Sequence, residues 1–155
     1  MKYLNDLLSN YVLMTGILGW FIAQVIKTII DCAINKKVSF ERLVGSGGMP
    51  SCHSSTVCAL STATAIAHGV NSTEFALAAI LAIIVMYDAR GVRRETGNQA
   101  EVLNEIIDFL KNTSPESLKF TQENLKELIG HTPLQVFFGA ILGIIIGFST
   151  YPLFH

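Results

Sequence analysis

Residues 11–30 read YVLMTGILGWFIAQVIKTII, an apolar run broken only by Thr15, Gln24 and Lys27. At about 1.5 Å per residue a helix of this length covers roughly 30 Å, the thickness of a bilayer's hydrocarbon core. The stretch therefore predicts a membrane span, and the rest of the chain is read outward from it. A cleaved leader is not expected, because the run is too long and no small-x-small site precedes Lys27.

Composition agrees. The chain has 155 residues, half of them hydrophobic and only 15% charged, with a mean hydropathy of +0.46. Soluble domains carry about 25% charge, so the deficit points to lipid surroundings. The length predicts one domain covering 1–155. A net charge of −1 argues against a nucleic-acid partner, which rewards a strongly basic face. Cys32, Cys52 and Cys58 have no metal-ligand spacing and read as reduced thiols, two of them small packing residues in helices.

Three more apolar segments follow. Residues 56–70 are short and rich in Ala, Ser and Thr, which suits a helix packed tightly among others rather than one facing lipid. Residues 75–87 are almost wholly apolar, with Glu74 in the first turn. Residues 134–151 follow Pro133, which fits the first turn of a helix. That last span carries Gly139, Gly143 and Gly147 at i, i+4 and i+8, a stripe that lets a second backbone approach closely. The neighbour is either another helix of the chain or a second copy, and the stripe makes a homodimer reasonable.

Residues 88–132 form the substantial polar insert. Within it, residues 100–110 place Val102, Leu103, Ile106, Ile107 and Leu110 on one face and Glu101, Glu105 and Asp108 on the other. That pattern predicts an amphipathic helix, lying on the membrane surface or packed under the bundle. Residues 112–116 read as a turn, and residues 120–129 as a second short helix ended by Gly130.

Span parity organises the polar residues. If all four segments cross, the first and third loops share one side of the membrane. Lys27, Asp31 and Arg42, residues 50–54, residues 88–97 and His131 then gather at that face, while the other side offers a short turn around Asn71 and the termini.

Three motifs sit there. Gly45-Ser46-Gly47-Gly48-Met49-Pro50-Ser51-Cys52-His53-Ser54-Ser55 is a glycine-rich turn entering a helix, where free backbone N–H groups favour an anion. The serines can cap the helix, and His53 stands where it can protonate a leaving oxygen. A capped helix with an incidental histidine is the plainer reading. Asp88-Ala89-Arg90-Gly91-Val92-Arg93-Arg94 brings three arginines just beyond an apolar span. Positive-inside bias accounts for part of this, but arginine also forks onto phosphate oxygens in a way lysine does not. Gly130-His131-Thr132-Pro133 opens the last span with a second histidine. Two histidines and several cations around an anion nest suit phosphoryl transfer through a phosphohistidine.

In this order the motifs resemble the divergent branch of the type 2 phosphatidic acid phosphatase (PAP2) superfamily, which includes vanadium-dependent haloperoxidases. The resemblance runs from Lys27 to Gly147 and is carried by Gly47 to Ser54, Tyr87 to Arg94 and Gly130 to Pro133. It implies that Lys27 and Arg42 are first-motif phosphate cations. It implies that Ser51 and His53 belong to the second motif, with Cys52 replacing its glycine. His131 becomes the nucleophile, in His131-Thr132-Pro133-Leu134-Gln135-Val136, and Arg93 or Arg94 the third-motif arginine. Gln135 occupies the place of the carboxylate that orients the nucleophile. A glutamine oxygen accepts the imidazole N–H but offsets no charge, and an amide in place of a triad carboxylate can cost about 10⁴-fold in rate. Asp88 or Glu95 is an acid that can take over that role.

The expectation is thus an all-α integral membrane bundle of about four transmembrane helices, with one or two amphipathic helices in the loop before the last span. Its expected activity is metal-independent hydrolysis of a lipid phosphate or diphosphate, without a cofactor, at the bilayer surface. The rival is a catalytically weak or inactive membrane protein that binds anionic headgroups or serves as an assembly partner. A small transporter finds little support in four spans without inverted halves. Lys36, Lys37, Arg42, Arg90, Arg93 and Arg94 place the polar loops in the cytoplasm by charge.

Overall fold

The computed structural model describes residues 2–36, 48–113 and 131–154. These form six helices: α1 (Lys2–Leu8), α2 (Tyr11–Asn35), α3 (Cys52–His68), α4 (Thr73–Arg90), α5 (Val92–Thr113) and α6 (Pro133–Phe154). No strand occurs among the described residues. Each of α2, α3 and α4 begins on a side chain able to accept an orphan N–H. Asn10 Oδ1 receives Leu13 N–H at 3.0 Å, Ser51 Oγ receives Ser54 N–H at 3.3 Å, and Ser72 Oγ receives Phe75 N–H at 3.1 Å. α2 closes on Lys36, which takes the left-handed conformation and donates its N–H to the Cys32 carbonyl.

The bundle is an all-α membrane architecture, but among the described residues three helical stretches rather than four are long and apolar enough to cross. They are Tyr11–Ile34, Pro133–Phe154, and a stretch from Thr73 to Phe109 that continues through Arg90 into α5. The expected span at residues 56–70 becomes α3, which has 17 residues, twelve of them Ala, Ser, Thr or Cys, and few large apolar side chains. The physical reason is its position. α3 packs against α2, α4 and α6, and Ser54, Ser55, Ala59 and Ala63 along it are completely covered. A helix sheathed by protein has no need of lipophilic side chains.

Contacts along the seams fix the helix directions. Gly19 lies on Ser55 and Ala59, and Gly16 on Leu60, so α2 runs antiparallel to α3. Gly139 lies on Ser51 and Ser54, Gly143 on Ser55 and Cys58, and Gly147 on Thr62, so α6 runs parallel to α3. Val57 and Cys58 meet Ala82, Val85 and Met86 of α4. The C-terminal ends of α2 and α4 therefore share one end of the bundle with the starts of α3 and α6.

This packing gives the glycine stripe a neighbour within the chain, which removes the basis for the homodimer expectation. Gly139, Gly143 and Gly147 are buried against α3 of the same chain, and a methyl group on any of them would overlap Ser51, Ser55 or Thr62. Close approach is what the stripe is for, but the partner is internal. Hydroxyls stitch the neighbouring seams: Ser55 Oγ donates to the Gly19 carbonyl of α2 at 2.9 Å, and Tyr11 Oη to the Gly147 carbonyl of α6 at 3.1 Å. Thr15 and Thr150 share a hydrogen bond of 3.0 Å.

α5 extends the predicted amphipathic helix in both directions. Val102, Leu103, Ile106 and Phe109 are exposed, and among the described residues α5 packs only against α4. The turn expected at residues 112–116 begins inside α5, and the rest of it lies outside the described residues, as does the short helix expected at residues 120–129.

Candidate functional site

Four chain segments meet at the shared end of the bundle. α2 brings Lys27, which is buried to 3% exposure. The turn before α3 passes beside it: Gly48 has φ +81°, and a Cβ there would stand 3.0 Å from Lys27 Cγ and Cδ. Glycine is required twice over, by the left-handed backbone and by the lysine stem. Ser51 then caps α3 and is completely buried, and His53 follows in the first turn, half-buried. α4 supplies a carbonyl, because His131 N–H donates to Ala89 O at 3.1 Å. His131 itself is 2% exposed and shortly precedes α6.

The two imidazoles touch. His53 Nδ1 and His131 Nε2 are 3.4 Å apart, and the rings meet edge to face with centroids 5.6 Å apart. On its other side His131 Nδ1 lies 3.2 Å from Gln135 Oε1. The same oxygen accepts the Thr132 backbone N–H at 3.0 Å, while Thr132 Oγ1 accepts Gln135 N–H at 3.3 Å. This reciprocal pair is a capping box at the start of α6. Its consequence is chemical. The backbone donor fixes which end of the amide faces inward, and an inward oxygen can only accept, so His131 carries its proton on Nδ1. Nε2 is left with a lone pair, and His53 Nδ1–H is the donor that meets it. Gln135 also receives Ser51 N–H on its backbone carbonyl at 3.1 Å. One residue thus ties the start of α3 to the start of α6 and sets the tautomer of His131.

The N-terminal ends of α3 and α6 converge here, adding two positive dipole ends to Lys27. Such a place suits an anion with a nucleophilic nitrogen at its centre. Asp88 is half-buried on the last turn of α4, next in sequence to the residue whose carbonyl holds His131, and Glu95 is exposed in the first turn of α5. Cys52 is buried, with Sγ 3.9 Å from His53 Nδ1. Arg93 and Arg94 fall in the first turn of α5, which is separated from the end of α4 by Gly91 alone. Arg42 and Gly45 to Gly47 lie outside the described residues. Thr132 and the Ala89 carbonyl were not singled out in the sequence. The first had a readable signal, the T-x-x-Q spacing of Thr132 and Gln135 before an apolar run; the second, a backbone group, had none.

A family profile described as the divergent PAP2 family matches residues 8–146. The chain belongs to the divergent PAP2 family. The match takes in α2 to α6 up to Ile146, and with them both histidines. A similar protein is the uncharacterized membrane protein YuiD of Bacillus subtilis (strain 168), 43% identical over 148 residues, which cover 91% of this chain and 94% of that one. No solved structure matches the chain. Together with the apolar helices, these relationships make the chain a PAP2-like integral membrane protein.

Proposed function

We propose that this divergent PAP2 protein is a membrane-embedded phosphatase that hydrolyses a lipid phosphate or diphosphate through a phosphohistidine. The observation that carries the reading is the His131 ring, held by Gln135 Oε1 at Nδ1 with Nε2 facing His53. His131 Nε2 donates its lone pair to phosphorus, the P–N bond forms, and the P–O bond to the lipid breaks. His53, as the imidazolium, gives its proton to the departing oxygen. Water then attacks phosphorus, the P–N bond breaks, and His53 takes the proton that water gives up. Lys27, the Ser51 hydroxyl, Arg42 and Arg93 or Arg94 hold the phosphate oxygens, and α3 and α6 add their dipoles. At 3.4 Å the two rings leave no room for a phosphorus between them, so the His53 side chain turns aside when substrate enters.

Gln135 weakens the chemistry without removing it. It orients His131 but does not neutralise the charge that develops on the ring, so turnover is slow. The test is purified protein in mixed micelles with a panel of lipid phosphates, in the presence of EDTA. Phosphate release should disappear in His131→Ala and fall steeply in His53→Ala, and acid-labile phosphate should be trapped on the wild-type chain. Retained headgroup binding with no release from any substrate would instead support the non-catalytic rival, which the replaced carboxylate favours.

The charge distribution supports a cytoplasmic site, with Lys36, Arg90, Arg93 and Arg94 at that end of the bundle. In a variant without native cysteines, Gln99→Cys on α5 should resist an impermeant thiol reagent in intact cells. Its labelling there would reverse the orientation.

A further inference from the structure

A groove of about 260 Å³ runs down the seam between α2 and α3, lined by Leu13, Gly16, Ile17, Trp20, Thr56 and Leu60. Its walls offer nothing polar: the Thr56 hydroxyl is already committed to the Cys52 carbonyl at 2.7 Å. Ile17 and Trp20 are each 46% exposed on its rim, so it opens sideways. Resting on the phosphatase reading, we infer that this groove receives the hydrocarbon chain of the lipid whose phosphate lies at His53 and His131.

Register makes the connection. His53, Thr56 and Leu60 stand at i, i+3 and i+7 of α3 and form one stripe. Lys27, Trp20 and Leu13 stand seven residues apart on α2 and form another. Each stripe starts at a residue of the polar site and ends in the groove. From Trp20 to Leu13, or from His53 to Leu60, the distance is about 10 Å along the helix axis, a third of the ~30 Å hydrocarbon thickness. The site sits at the headgroup end and the groove points toward the bilayer centre, which is how a phosphorylated lipid is itself laid out.

Size and shape narrow the occupant to one chain. Pockets that enclose drug-sized ligands measure roughly 300–1,000 Å³, and this groove is smaller, so neither a ring system nor two chains side by side enters it. Its floor is set by Gly16, where a Cβ would stand 3.2 Å from Leu60 Cδ1. Any larger residue there narrows the groove directly. Since lipid tails are already in apolar surroundings, the groove contributes packing and alignment rather than hydrophobic transfer. It therefore selects chain length and straightness more than it adds raw affinity.

Trp20 is the only tryptophan in the chain, so its fluorescence reads the groove without added label. The full-length protein in phosphatidylcholine nanodiscs would be titrated with an alkyl phosphate brominated along its chain, and separately with the alcohol of the same chain. Quenching by the phosphate should saturate, and quenching by the alcohol should rise linearly with its mole fraction. Lys27→Met should raise the half-saturating concentration about tenfold, the loss of one charge-assisted contact. Gly16→Leu should abolish the saturable part, and Leu60→Phe supplies the same obstruction if Gly16→Leu does not fold. Equal, non-saturating quenching by phosphate and alcohol would overturn the inference, as would saturable quenching that survives Leu60→Phe. Turnover separates this from the parent reading. Saturable binding without phosphate release keeps the groove and removes the phosphatase. Release from a short-chain phosphate at equal rates in wild type and Leu60→Phe, with non-saturating quenching, removes the groove alone.

Discussion

The two ends of the α2–α6 seam use polar side chains in opposite ways. At the far end Tyr11 Oη is spent on the Gly147 carbonyl, Thr15 is spent on Thr150, and the Tyr11 ring packs on Tyr151 and Phe154. Each of these bonds answers a polar group that lipid cannot solvate. At the site end the groups gathered are two imidazoles, a buried ammonium and an amide, and the contacts of His131 with His53 and Gln135 fix proton positions as well as shape. Polar residues in a membrane bundle are therefore not functional merely by being there. What separates the ends is whether the partners are backbone carbonyls and hydroxyls or groups that gain and lose protons.

The largest expected effect lies at the site end. His131→Ala should lower phosphate release about 10⁴-fold or more, as loss of a nucleophile does, and His53→Ala about 10²- to 10⁴-fold. Neither should shift the denaturation midpoint much, which circular dichroism in detergent can check. Next comes the packing of α6 on α3, between the two ends. Gly143→Val places methyl groups against the Ser55 carbonyl and the Ala59 amide, where only backbone can give way. It should cost about 3 kcal/mol or more, seen as lost yield and a lowered midpoint. Third, Gln135→Glu keeps the reach to His131 and Thr132 while adding the missing charge, and should raise turnover about tenfold, well inside the ~10⁴-fold span between amide and carboxylate elsewhere. An unchanged or lower rate would mean that charge on the ring is not what limits the reaction. The smallest effect is at the far end. A Thr15→Val and Thr150→Val cycle should give a coupling of about 0.6 kcal/mol, with phosphate release untouched. If release moved with it, the two ends would not be independent.

Much of this fold was legible because lipid imposes a simple rule. Residues 11–30 and 134–151 are apolar almost throughout, and both became helices long and apolar enough to cross. α3 obeys another rule, since its environment is protein, and its Ala, Ser and Thr content described its packing rather than a crossing. The glycine stripe likewise specified a close approach but not with whom, because Gly139, Gly143 and Gly147 would look the same against a second copy. The apolar face of residues 100–110 gave α5, while its start at Val92 was hidden by the arginines. In the site, the placing of His53 and His131 at one face followed from span parity, while the contact of their rings did not. The position of Gln135 was readable too, but its inward oxygen was not, because that depends on a backbone N–H one residue beyond the histidine.

That last contact makes the first turn of a helix the custodian of a proton. If Thr132 N–H let go of Gln135 Oε1, the amide would be free to rotate and present its NH₂ group to His131. The imidazole would then shift its proton to Nε2, and the nitrogen facing His53 would have no lone pair to offer. Fraying at the start of α6 would thus silence the ring while every span stayed in place, and reactivity would fail well before the bundle did.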